Sequence, residues 1–126
     1  MKAFLAMAFT AALTAGPVYA DCHSLLPQDA PKIPDGATAT LEQMVAGQKE
    51  VNAYQKAIND YTACIDKELD DQLAKGGDKL KPEQKAEMQK VEAQKHNAAV
   101  DQLQAIADRF NEQVKVFKAK AAEKKG

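Results

Sequence analysis

Residues 75–84, KGGDKLKPEQ, break the chain between two long helical patterns. Gly76 and Gly77 suit the left-handed end of one helix, and Pro82 suits the first turn of the next, where its missing N–H would be unpaired anyway. Glu83 and Glu87 then lie near the positive end of the second helix dipole. Helical patterns flank the break on both sides. Upstream, Thr40 and Gln43 form a capping box, after which Met44, Val51, Tyr54, Ile58, Tyr61, Ile65 and Leu69 recur at helical spacing with no proline before Pro82. Downstream, Met88, Val91 or Glu92, Lys95, Ala99, Leu103, Ile106, Phe110, Val114 and Phe117 make the second stripe, and Lys115, Lys118 and Lys120 fall where a helix C-terminus favours cations. The chain therefore reads as all-α: a long antiparallel two-helix hairpin, coiled-coil-like, with helices over about 40–75 and about 82–122 and a tail at 123–126.

The front of the chain has a different character. Residues 1–20, MKAFLAMAFTAALTAGPVYA, carry a single charge at Lys2, an apolar run from Ala3 to Ala15, a Gly16-Pro17 break and small residues at Val18 and Ala20. This is the three-part pattern of a secretory signal removed after Ala20, and the run is too short for a stable membrane span. The expectation is a periplasmic or secreted bacterial protein with no membrane anchor. Lipid attachment at Cys22 is disfavoured, because Asp21 and Tyr19 occupy the places where lipoprotein processing needs a small residue and leucine.

Residues 21–39 contain Pro27, Pro31 and Pro34 followed by Asp35-Gly36, which predicts an extended arm ending in a turn. In an oxidising compartment the only two cysteines, Cys22 and Cys64, are expected to pair. The arm is long enough to run back along the first helix to Cys64, and the strip Ala46, Ala53 and Ala57 offers a groove for Leu25, Leu26 and Ile33. Closing that loop removes about 4 kcal/mol of unfolded-state freedom, a useful amount for a thin two-helix core.

Folding the chain about GGDK sets a register: Ile58 meets Ala99, Tyr54 meets Leu103, Val51 meets Ile106 and Gly47 meets Phe110, so large residues face smaller ones. The same register places Tyr61 across from His96. The pair is expected to be structural, the phenol and the imidazole satisfying one another by a hydrogen bond.

Without residues 1–20 the chain carries 16 basic and 18 acidic residues, which leaves no nucleic-acid footprint. There is no glycine-rich phosphate loop, nucleophile elbow, CxxC or HExxH, and Ser24 is the only serine. These features point away from an enzyme and call for no cofactor. The alternative is a metal or haem carrier, with His96 as ligand and Met88 or Met44 as thioether partner and Glu92 one turn before the histidine. Asp66, Glu68, Asp70 and Asp71 crowd the end of the first helix, either as a cation site or as a solvated acidic face.

Two blocks of sequence, Cys22 with IPDGATAT, Tyr54, Tyr61 and Cys64, and then HNAAVD with FNEQV, resemble small exported proteobacterial proteins of unknown function. The resemblance spans nearly all of residues 21–118 and implies export without implying an activity. The functional expectation is a non-enzymatic exported helical protein acting by protein contacts, as an envelope scaffold, adaptor or holdase. Its expected partners are proteins of the cell envelope and further copies of itself, since pairing two hairpins would bury more of each stripe.

Overall fold

The computed structural model describes residues 21–125. The signal segment expected over 1–20 lies outside the described residues. Two long helices dominate: α1, Leu41–Gly76, of 36 residues, and α2, Pro82–Glu123, of 42 residues, which makes them about 54 and 63 Å long. Among the described residues there is no strand, and the architecture is the antiparallel hairpin that the sequence predicts.

The ends of the helices form where local chemistry dictates. Thr40 Oγ1 accepts from the Gln43 N–H and Gln43 Oε1 accepts from the Thr40 N–H, so the capping box is complete. Gly77 ends α1 at φ 45°, a conformation that a side chain would resist, and its N–H donates to the Leu73 carbonyl. One short 3₁₀ turn, Gly77–Lys79, leads to Pro82 in the first turn of α2, where Gln84 Oε1 accepts from the Lys81 N–H.

The arm is joined to α1 by the Cys22–Cys64 disulfide, with the two Cα atoms 5.6 Å apart. It departs from the expected form in two ways. Residues Cys22–Leu25 coil into a 3₁₀ turn, because the Asp21 carboxylate accepts from the His23 N–H at its start; short polar side chains capture nearby amides in this way. The arm also only partly approaches the Ala46, Ala53 and Ala57 strip: Ile33 and Pro34 border the same depression as Ala46, while Ala46 and Ala53 remain exposed. It crosses the seam between the helices instead, where Leu26 and Pro27 neighbour Tyr54 and Ile106, and Ile33 and Pro34 neighbour both Gly47 and Gln113. A seam between two apolar stripes offers more area to bury than a strip of methyl groups on one helix.

Two glycines let the arm sit that low. The Gly36 N–H donates to Gln113 Oε1 at 2.8 Å, and a Cβ on Gly36 would overlap the Gln113 main-chain carbonyl. At Gly47 a Cβ would stand 2.7 Å from Pro34 Cδ and 3.3 Å from Phe110 Cε2, which also realises the expected Gly47–Phe110 pairing. The core consists of Cys22, Met44, Val51, Tyr54, Ile58, Tyr61, Ile65, Ala99, Ile106 and Phe110, with Ile58 fully enclosed. Its distribution is lopsided. From Asp66 to Ala98, around the loop, none of the described residues is buried; Leu69, Leu73, Leu80 and Met88 are half-buried at best. Among the described residues the arm supplies a third layer over one half of the hairpin, and nothing further packs on the two helices of the loop-proximal half.

Candidate functional site

Where the covered half gives way to the bare half, three donor side chains converge. Asp66 comes from α1, one residue past the last buried position, while Glu92 and His96 come from α2 one turn apart, a spacing that puts both on the same face. His96 Nδ1 lies 3.2 Å from Asp66 Oδ1 and 3.7 Å from Glu92 Oε1. The three donor atoms all fall within 4.8 Å of one another.

Electrostatics divides the two carboxyls. Asp66 is held below the ordinary aspartate range first by its interaction with the neighbouring Glu92 carboxyl and then by His96, with burial opposing. Glu92 is raised by the same Asp66 interaction, by burial and by the Asp66 charge, with Asp70 adding to the repulsion and His96 relieving some of it. Two like charges at close quarters do not ionise equally, and the more enclosed carboxyl, Glu92, is the one pushed up. Glu92 Oε1 is shielded from solvent and has no hydrogen-bond partner, although the side chain as a whole retains 19% of its exposure.

This arrangement corrects the expected Tyr61–His96 pair. Tyr61 is buried in the core, but its hydroxyl makes no hydrogen bond to His96; the imidazole engages Asp66 instead. The reason is geometric. Each Cα–Cβ bond tilts toward the N-terminus of its own helix, so facing side chains in an antiparallel hairpin lean past one another: Tyr61 away from the loop, His96 toward it. Asp66, five residues closer to the loop, leans back to meet the imidazole.

The thioether partners are corrected as well. Met44 is buried in the core, 22 residues before Asp66 along α1 and hence about 33 Å away at 1.5 Å per residue. Met88 lies two turns before His96, about 12 Å along α2, in a groove with Ile65, Leu69 and Val91. Neither sulfur joins the imidazole. The residues that do, Asp66 and Glu92, stand apart in the sequence, one in an acidic run and one beside the stripe; only the opposite leans of the two helices bring them together.

Two further features lie outside this cluster. The groove at Ile65, Leu69, Met88 and Val91 is open to solvent and rimmed by Glu68, Glu87 and Lys95, and Val91 keeps 39% of its exposure. At the other end of the chain, Ser24 Oγ donates to the Asp21 carbonyl within the 3₁₀ turn, a local bond that leaves it no partnership with a histidine. Among the described residues no helix is long and apolar enough to cross a membrane. Comparison of the chain with protein-family models, with curated proteins and with solved structures finds no match in any of the three.

Proposed function

We propose that the chain is a non-enzymatic, exported helical protein that acts through protein contacts, and that its loop-proximal half is the contacting surface. The observation that carries this reading is the bare half of the hairpin. Leu69, Leu73, Leu80 and Met88 are only half covered, Val91 is exposed, and a two-helix hairpin has no means of burying such a stripe by itself. The first occupant is a second copy, because two hairpins packed stripe to stripe complete a four-helix bundle core. An envelope protein with an amphipathic helix would be recognised by the same groove, which is how the chain would serve as a scaffold, adaptor or holdase.

Export is supported by the disulfide, since structural disulfides persist in oxidising compartments. Sedimentation equilibrium tests the contact reading, paired with hydrogen exchange at rising protein concentration. The expected result is a concentration-dependent dimer whose new protection maps to residues 66–98, and Val91→Glu should hold the chain as a monomer. A monomer throughout the micromolar range with fast exchange over 66–98 would overturn self-association. Suppression of client aggregation by the same preparation separates a holdase from a scaffold.

A further inference from the structure

We propose that Asp66, Glu92 and His96 form a binding site for a first-row divalent transition-metal ion, zinc being the type, held by Asp66 Oδ1, Glu92 Oε1 and His96 Nδ1. Geometry makes the first argument. Zinc binds imidazole nitrogen and carboxylate oxygen at about 2.0–2.2 Å, which sets the edges of a tetrahedral site at about 3.3–3.6 Å. The edges from His96 Nδ1 are 3.2 Å to Asp66 and 3.7 Å to Glu92, with no pair of donor atoms beyond 4.8 Å. An ion can enter between them with small side-chain adjustments.

The second argument is the oxygen that nothing satisfies. Glu92 Oε1 is closed off from solvent, lacks a hydrogen-bond donor and points into the same cluster. Buried polar atoms are normally paired, and an orphan asks for an explanation. A cation bound by Asp66 and His96 would provide one. The nearby lysines do not: Lys67 pairs with Asp71 at 2.6 Å, and among the described residues the ion pairs of Asp66 and Glu92 run only to His96.

The donor set then selects the class of ion. Two carboxylate oxygens and one imidazole nitrogen suit zinc and its first-row neighbours better than the all-oxygen sites of calcium or magnesium. Thiolate ligation does not enter, because both cysteines are joined in the disulfide. Three protein ligands leave a fourth position for water, and with Asp66 half-exposed the ion would exchange with solvent. Bound there, it would tie α1 to α2 at the point where the covering arm ends.

The test is titration of the protein, with its disulfide formed, with Zn²⁺ by calorimetry and with Co²⁺ by visible absorbance, alongside thermal unfolding. One ion per chain should bind, raise the unfolding midpoint and, as Co²⁺, give the intense bands of a tetrahedral centre. His96→Ala, Glu92→Gln and Asp66→Asn should each weaken binding on the order of 10- to 100-fold or more, since even outer partners of metal ligands are worth that much. Glu92→Gln is nearly isosteric and Asp66 is exposed, so these variants keep the helices, which circular dichroism verifies. His23→Ala, which removes the only other histidine, should leave affinity unchanged. Equal affinity in the wild type and the three ligand variants, or loss of binding in His23→Ala, would overturn the assignment.

Discussion

Replacing Gly36 by alanine tests how the arm is seated, because two opposing effects predict opposite signs. In an ordinary solvated turn the change would stabilise the protein by about 0.4–1 kcal/mol, by restricting the unfolded chain. Gly36 does not occupy a left-handed conformation, so its dihedrals raise no objection to alanine. Space raises one. The new methyl would overlap the Gln113 carbonyl oxygen and come within 2.9 Å of Gln113 C and Phe117 N. These are main-chain atoms in the interior of α2 and have no rotamer to relax into. The turn must lift, which forfeits the 2.8 Å bond from the Gly36 N–H to Gln113 Oε1 and loosens Ile33 and Ala39 from the core edge. Overpacking costs about 1–3 kcal/mol and the hydrogen bond about 1, so we expect Gly36→Ala to destabilise by about 2–4 kcal/mol. Urea unfolding of the oxidised protein, followed by far-ultraviolet circular dichroism, measures it. A double-mutant cycle sharpens the result: Gln113→Ala should cost about 1 kcal/mol alone and almost nothing once Gly36→Ala has broken the bond. A neutral or stabilising Gly36→Ala would show that the arm does not rest on α2.

Other outcomes follow from the same geometry. At Gly77, where nothing approaches the position but φ is 45°, alanine should cost about 1–3 kcal/mol through backbone strain alone, seen as a lower unfolding midpoint with native-like spectra. Cys64→Ser should lower stability by about 2–5 kcal/mol and expose residues 21–39 to proteolysis; an unchanged midpoint would mean that the arm contributes nothing. Ile58→Ala, at the one fully enclosed large side chain among the described residues, should cost about 2–5 kcal/mol in the same urea titration. Tyr61→Phe should change stability by less than about 0.5 kcal/mol, because no hydrogen bond to His96 is lost; a cost of a full kcal/mol would restore the Tyr61–His96 pairing.

The helices are legible in the sequence because their signals are local. A capping box at Thr40, a Gly-Gly stop and Pro82 fix three of the four ends to within a residue, and apolar periodicity fixes which faces meet. The Gly47–Phe110 contact follows from folding the chain about its turn, since both residues lie on the facing stripes. What periodicity cannot convey is direction away from the helix axis. Counting residues puts Tyr61 and His96 level, yet their side chains depart in opposite senses, and the imidazole finds Asp66. The path of the arm is hidden for a related reason: prolines show that it is not helical, but not which groove it enters. Gly36 reads in the sequence as a turn former, whereas its decisive property is the absence of a Cβ against α2. The signal for that is long-range, between positions 77 apart.

The disulfide also marks a boundary. Buried positions on α1 end at Ile65, the residue after Cys64, and on α2 they begin only at Ala99. On the arm's side of that boundary three layers share the core; on the loop side two helices share a half-exposed stripe and few enclosed contacts. Local stability follows enclosure, so the loop-proximal half belongs to the part of the molecule that opens most readily. The apolar groove at Leu69 and Val91 and the Asp66–Glu92–His96 cluster both lie at or beyond the line where the arm stops. Among the described residues the staple at Cys64 thus separates a half that three layers enclose from a half whose apolar stripe stays half-exposed.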